Sequence, residues 1–392
     1  MSMEREKFKR HITGLELQVG TRLPWSVYSP QGVLLLTEGT LIRSEKQIER
    51  LLGVQAHYFV SPNPALYAST AKQRPANPDK VSSFVIVHTL LERLEAAFDL
   101  RHKEGAGGAF IRKIMQLVFD IQGTCEEAPD AMMGTVQLIV DAPHGLVHPL
   151  HMALMCEVAS CRMGQGPLER FPLVAAALTH DLGMYEAQQQ LFEQDTPLTE
   201  QQRQLIDQHP QRSYELLRER GVTEAGWLMP VLHHHERLDG SGYPNGLVSD
   251  QIDRDTRLLA ITDCYSAMIQ PRAYREQVLS RDALREIFQQ RGKTIDESLA
   301  RLFIDVMGLF APGTLVQLKT GEIALVTGRG PNLNQPMLAI ITNSLQEPLD
   351  HPQQVTLQDS KEITAILRIQ DHAHLIAGLG RLWPVMSQIS PL

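Results

Sequence analysis

The spacing of apolar positions changes twice along the chain, and the changes predict three regions. Between residues 14 and 60 apolar residues fall in short alternating or β-branched runs broken by Gly and Pro, as in GLELQVGTRLPWSVYSPQGVLLLTEGTLI. The following SEKQIERLLGV has helical spacing, with Ser44 as its cap, so residues 1–80 read as a small α/β module. Its last part, SPNPALYASTAKQRPANPDK, holds four prolines and little periodicity, the character of a linker. From Val81 to about residue 307 apolar positions recur at three and four, as in SSFVIVHTLLERLEAAFDL and AFIRKIMQLVFDIQ, which predicts a helical bundle over 81–310. Short strand-like runs with Gly and Asn turns then return, so residues 311–392 read as a β-rich extension. The expected fold class is mainly α.

Composition adds exclusions. The chain has 392 residues, 43% hydrophobic and 21% charged, enough for two or three domains. No apolar run approaches the roughly 18 residues of a membrane span, and the N-terminus MSMEREKFKRHITG lacks the apolar stretch of a signal peptide. A cytoplasmic location without a membrane partner is the expectation. Cys125, Cys156, Cys161 and Cys264 form no CxxC pair and read as reduced thiols. A formal charge of -8 argues against DNA as a partner, because phosphate backbones are held by clustered Lys and Arg. An anionic ligand therefore needs a local source of positive charge. Of fifteen histidines, eight fall between His144 and His235.

Read in order, the candidate groups are His148, His180-Asp181, His209, His234-His235 and Asp263. They are separated by roughly 25 to 32 residues, about one helix and its connection, so successive helices of a bundle can each contribute one group to a shared polar site. Imidazole mixed with carboxylate suits iron, manganese or zinc, whereas magnesium and calcium prefer oxygen alone. Each group also has a blander reading. His180-Asp181 ends the apolar run FPLVAAALTHDLG, with Pro172 suited to the first helical turn and Gly183 to the end, where a buried His-Asp pair can be structural. His209, before Pro210, reads as a solvated helix-start residue. Neighbouring helix positions diverge by about 100 degrees, so His233, His234 and His235 cannot all face one site, and His233 is the expected bystander. Asp263 lies in the apolar LLAITDCYSAMI, where a carboxylate is costly unless paired or bound to a cation.

HDLGM at 180–184, HP at 209–210, HHERLDGSGYPNGL at 234–247 and DCYSAMIQPRAYR at 263–275 resemble the motifs of the HD-GYP group of HD-domain phosphohydrolases, over roughly residues 145–307. The resemblance implies an HD-type helical bundle holding two or three divalent ions, usually iron or manganese. It implies hydrolysis of cyclic di-GMP to pGpG and GMP by metal-assisted in-line displacement. The implied ligands are His148, His180, Asp181, His209, His234, His235 and Asp263, with Asp181 bridging two ions and His180 and Asp181 forming the catalytic pair. Gly240 and Gly242 would allow close backbone approach to the ligand. Tyr243 would stack on a base or pack under the loop, and Arg272 and Arg275 would contact phosphate or guanine.

Several positions depart from the family pattern. Met184 stands where Lys is usual, and a thioether neither polarises a phosphoryl oxygen nor donates a proton. Ser266 stands where many members have a second Asp, and Ala273 replaces the Pro of RPYR. Members with three metals have a carboxylate four residues before the first His; here that residue is His144, a further candidate ligand. Pro149 directly after His148 disfavours helical geometry at that ligand, and His151, one turn on, is its substitute. Two functions follow: a cyclic di-GMP phosphodiesterase, or a metal-loaded receptor that binds a cyclic dinucleotide, or a protein partner through the GYP loop, with little or no turnover. A mixed guanine-adenine cyclic dinucleotide is a further substrate candidate, and sensing or homodimerisation is the expected role of the N-terminal module.

Overall fold

The computed structural model describes residues 80–139, 142–270, 278–376 and 382–389 without interruption, and before residue 80 only 9–12, 17, 19, 23, 27–28, 34–36, 42, 45–53 and 56–59. Ser44, the proline-rich stretch 61–79 and the residues Arg272, Ala273 and Arg275 lie outside the described residues. Contacts divide the chain into two units, Met1–His88 with Leu367–Leu392, and Thr89–Ile366.

In the first unit, strands β1 (Lys9–His11), β2 (Val27–Tyr28), β3 (Leu34–Leu36) and β4 (His57–Phe59) form an antiparallel sheet in the order β1-β4-β2-β3. Helix α1 (Glu45–Gly53) is amphipathic and buries Ile48 and Leu51 in one core with Val27, Leu36 and Ile42. The short strand β5 (Lys80–Val81) pairs antiparallel with Met386–Ser387.

Helix α2 (Ser83–Phe98) leads into the helices of the second unit. These are α3 (Gly107–Glu127), α4 (Pro129–Leu138), α5 (His144–Arg162), α6 (Pro167–Thr179), α7 (Tyr185–Glu193), α8 (Glu200–Glu219), α9 (Ala225–His233), α10 (Arg254–Ile269), α11 (Ser280–Gln290) and α12 (Glu297–Met307). The centre is the pair α5 and α6. Nearly every residue from Leu150 to Ser160 and from Leu173 to Thr179 is buried, the signature of helices covered all round. Helices α4 and α10 pack on α5, and α9 packs on α6 and α8. The amphipathic helices α11 and α12 close the far side of α10.

A five-stranded sheet follows, β6 (Leu315–Leu318), β7 (Ile323–Gly328), β8 (Met337–Thr342), β9 (Pro348–Thr356) and β10 (Ile363–Leu367), in the order β10-β6-β7-β8-β9. It is fastened to α4. Arg329 donates from Nε to Asp130 Oδ1 at 2.6 Å and from its backbone N–H to Asp130 Oδ2 at 3.0 Å. Gly313, in left-handed conformation at φ +90°, lies so near Gly134 that a Cβ would meet that carbonyl at 2.6 Å. The fold is mainly α, with a small N-terminal α/β module and a small C-terminal sheet, as the periodicity predicts.

Three proline expectations are overturned. α6 begins at Pro167 and carries Pro172 inside; α5 runs unbroken through His148 and Pro149; and His209-Pro210 lies in the middle of α8 with His209 fully buried, not at a solvated helix start. Each proline costs its helix one backbone hydrogen bond, yet burial of the surrounding apolar face outweighs that local penalty.

Candidate metal centre

Three histidines are oriented by the same local device. His180 Nδ1 lies 2.9 Å from the carbonyl oxygen of Ala177, His234 Nδ1 lies 2.8 Å from that of Val231, and His209 Nδ1 is bonded to that of Ile206. A carbonyl only accepts, so each Nδ1 carries the proton and each Nε2 is turned away with its lone pair. These carbonyls are free for distinct reasons. Ala177 and Val231 belong to the last turns of α6 and α9, where backbone acceptors outnumber amide donors. Ile206 sits four residues before Pro210, which has no N–H to offer it. The HP dipeptide is thus a candidate ligand and the residue that frees its support.

The Nε2 atoms converge. His209 Nε2 is 3.1 Å from His234 Nε2, and His180 Nε2 is 3.3 Å from His148 Nε2. Asp181 divides its carboxylate between the two groups: Oδ1 lies 3.1 Å from His209 Nε2, and Oδ2 lies 3.4 Å from His180 Nε2 and 3.8 Å from His148 Nε2. Asp263, from the buried face of α10, does the same, with Oδ1 3.3 Å from His148 Nε2 and Oδ2 3.6 Å from His235 Nδ1. Among the described residues three overlapping sets have ligand atoms within 4.8 Å of one another: His209, His234 and His235; His148, His180 and Asp263; and His180, Asp181 and His234.

Facing lone pairs at such separations repel unless a cation lies between them. Donor atoms held about 2.1 Å from one ion stand about 3.0 to 3.4 Å apart at tetrahedral or octahedral angles, close to the spacings observed. The donor set of neutral imidazole and carboxylate therefore fits a transition-metal site. Electrostatics agree. Burial would raise the Asp181 carboxyl, but the imidazoles of His180 and His209 hold it well below the usual range. Burial and the neighbouring imidazoles hold His234 well below its ordinary value, and burial brings His235 down to about 3, so both are neutral near pH 7, as an imidazole must be to bind a metal. Burial would also lower His180, but Asp181, with Asp263 behind it, reverses the sign; the carboxylates stabilise positive charge at that Nε2.

The segment after α9 explains how adjacent histidines both reach the centre. The helix ends at His233, which turns aside to place Nε2 3.2 Å from Asn245 Oδ1, while His234, still in right-handed helical conformation as the cap, and His235 lie in the turn that follows. Glu236, buried, accepts the backbone N–H of Asn245 at 2.7 Å and of Leu247 at 2.9 Å, folding loop 240–247 back on the histidines. Gly242 faces this chain's own backbone: a Cβ would meet Arg237 N at 2.4 Å and His235 O at 2.5 Å, so its lack of a side chain serves loop closure instead of ligand approach. Tyr243 stacks on His235 with centroids 4.7 Å apart.

His144 stands outside the three ligand sets, its ring stacked on Phe192 at 4.2 Å and on His148 at 5.4 Å. His151 points its Nδ1 at Ser266 Oγ, 3.4 Å away, and belongs to none of those sets either. Met184, half-buried, closes the single turn Leu182–Met184 after Asp181. Sequence reasoning passed over Gln188, which donates to Asp181 Oδ2 at 2.7 Å, and the role of Glu236. Gln188 had no signal, since it contacts Asp181 only through the return of α7. Glu236 was legible as part of the HHE string. Gly183 also does more than end a helix: a Cβ there would lie 2.7 Å from His209 O and Ser213 N, so the turn after Asp181 rests directly on α8.

Residues 135–299 match the family described as HD domain. The helical region thus carries a segment similar to the HD domain family. The chain is similar to the cyclic di-GMP phosphodiesterase PA4108 of Pseudomonas aeruginosa, 30% identical over 61% of this chain and 58% of that protein. It is also similar to the cyclic di-GMP phosphodiesterase PdeB of Borreliella burgdorferi, 26% identical over 50% of this chain and 52% of that one. The 3'3'-cGAMP-specific phosphodiesterase 1 of Vibrio cholerae is 32% identical over 33% of this chain and 30% of its own length. The chain thus spans little more than half the length of the first two relatives. All the candidate ligands fall within residues 135–299. Among the described residues no helix is long and apolar enough to cross a membrane.

Proposed function

We propose that this HD-GYP chain is a metal-dependent phosphodiesterase that hydrolyses cyclic di-GMP to pGpG and GMP. The observation that carries the reading is the division of two carboxylates, Asp181 and Asp263, between two imidazole groups, which suits a pair of divalent ions. His209, His234 and His235 would hold one ion and His148 and His180 the other, with iron or manganese suited to the mixed donors. When bound, two divalent ions would supply Lewis acidity at phosphoryl oxygens and lower the pKa of water at the site. Two ions bring +4 against two carboxylates, so the centre attracts a phosphodiester despite the acidic chain.

The chain's own residues do the rest. Gln188 keeps one Asp181 oxygen in place by donating to it. Tyr243 is kept protonated by burial and by Asp263, Asp207 and Asp181, so its hydroxyl serves as a hydrogen-bond donor beside the centre. Loop 240–247, tied down by Glu236, shields the ligand atoms of His235 from bulk water. His144 stacks between rings, which favours two ions over three. Residues 1–80 are proposed as a regulatory module of a cytoplasmic signalling protein.

A receptor that binds without turnover is the second reading, favoured by Met184, which puts a thioether in the turn after Asp181. The test is incubation with manganese or ferrous iron and cyclic di-GMP, or its mixed guanine-adenine analogue, while following linear products. Release of pGpG and GMP from cyclic di-GMP is expected, and Met184→Lys should raise the rate on the order of a hundredfold. Tight binding with no product supports the receptor. Purified protein that takes up no transition metal overturns both.

A further inference from the structure

We propose that Ser266 is the positioning residue of the first ligand: its hydroxyl joins His148 to His151 and fixes which nitrogen of each ring carries the proton. The inference rests on the metal-centre reading above. His148 lacks the backbone hook that orients His180, His209 and His234. Its Nδ1 instead lies 2.9 Å from Ser266 Oγ, and Ser266 stands three residues beyond Asp263 on α10. One face of α10 thereby carries a ligand and the support of a second ligand that belongs to α5.

Ser266 is fully buried, and among the described residues its oxygen has three neighbours: His148 Nδ1, His151 Nδ1 at 3.4 Å, and Gln270, which donates from Nε2 at 3.3 Å. A hydroxyl donates one hydrogen bond and accepts two. Gln270 fills one acceptor position, so between the two imidazoles Ser266 accepts from one and donates to the other. His148 Nε2 faces Asp263 and His180. To ligate there, His148 must carry its proton on Nδ1 and give it to Ser266. The serine hydrogen then goes to His151 Nδ1, leaving the His151 proton on Nε2, a buried atom without a hydrogen-bond partner among the described residues. A hydroxyl supports a ligating imidazole without the charge of a carboxylate, so His148 is a weaker ligand than it would be with an acid behind it.

The test uses the full chain loaded with zinc as a diamagnetic probe, with 15N-labelled histidine and chelator competition. Wild type should bind two ions, with His148 protonated at Nδ1 and His151 at Nε2. Ser266→Ala should weaken one ion by roughly 10- to 100-fold, leave the other unchanged, and scramble the His151 tautomer. Ser266→Asp should bind that ion at least as tightly as wild type, a rescue that a purely structural role would not produce. Two ions held equally by wild type and Ser266→Ala, or His148 protonated at Nε2 in loaded wild type, overturns this proposal alone. A wild type that binds no ion overturns the metal reading, and this one with it. If Ser266→Ala fails to fold, the wild-type tautomers decide.

Discussion

The imidazoles of the centre are oriented by two different means. On the α8 and α9 side, His209 and His234 are held by carbonyls three residues earlier in their own segments, as is His180 at the end of α6. On the α5 and α10 side, His148 is held by Ser266, 118 positions away in the chain. The first arrangement forms whenever the helix forms; the second exists only once two helices have docked. Local support tolerates small movements between helices, whereas distant support transmits them to the ligand. Asp181 and Asp263 join the halves because each carboxylate faces both.

That contrast can be broken from either side. The largest effect is expected from Asp181→Ala, which removes the carboxylate facing both groups: both ions should be lost on gentle purification, and hydrolysis should fall on the order of a thousandfold or more. Retention of both ions would detach Asp181 from the centre.

Acidification should strain the docked half next, as followed by urea unfolding of metal-free protein. His151 titrates at about 3 when folded against an ordinary 6.5. Between those values the unfolded chain takes up a proton that the folded one refuses, so stability is full above 6.5 and declines as the pH falls. One such group is worth about 1.4 kcal/mol per pH unit, roughly 3 kcal/mol from pH 6.5 to 4.5. His234 and His235 act in the same direction and the raised His180 opposes them, while lowered Asp181 and Asp263 add their loss only below about 4. A stability flat over that range would contradict a buried neutral His151.

Gly183→Ala should cost about 1 to 3 kcal/mol in thermal or urea unfolding, because its Cβ would press on the α8 backbone at His209 and Ser213. The smallest change is expected from Pro210→Ala. It gives Ile206 a competing N–H and loosens His209, so affinity for the ion on the α8 and α9 side should drop about tenfold while the helix itself gains stability. An unaltered affinity would show that His209 needs no free carbonyl.

Much of the site was legible along the chain because each ligand helix carries one group at a helix-length spacing, and because a carboxylate in so apolar a segment as that around Asp263 demands a cation or partner. That His233, His234 and His235 could not all face one site followed from helix geometry, and His233 lies against Asn245. The prolines misled for a physical reason: propensity describes an isolated helix, while α5, α6 and α8 are held by packing, and Pro149, Pro172 and Pro210 sit inside them. Gly242 misled in a similar way, since a missing side chain signals close approach without saying what approaches.

The order and type of the ligands, the helical region that carries them and the HHE loop beside them are properties of the sequence itself, because side-chain chemistry and periodicity are written residue by residue. The tertiary structure alone decided that Asp181 and Asp263 each face two groups, that Gln188, Glu236 and Ser266 hold the parts in place, and that His144 stacks on His148 and Phe192 without joining a ligand set. Those facts depend on distances of about 3 Å between residues far apart in the chain, and no local pattern encodes how helices rotate against one another when they pack.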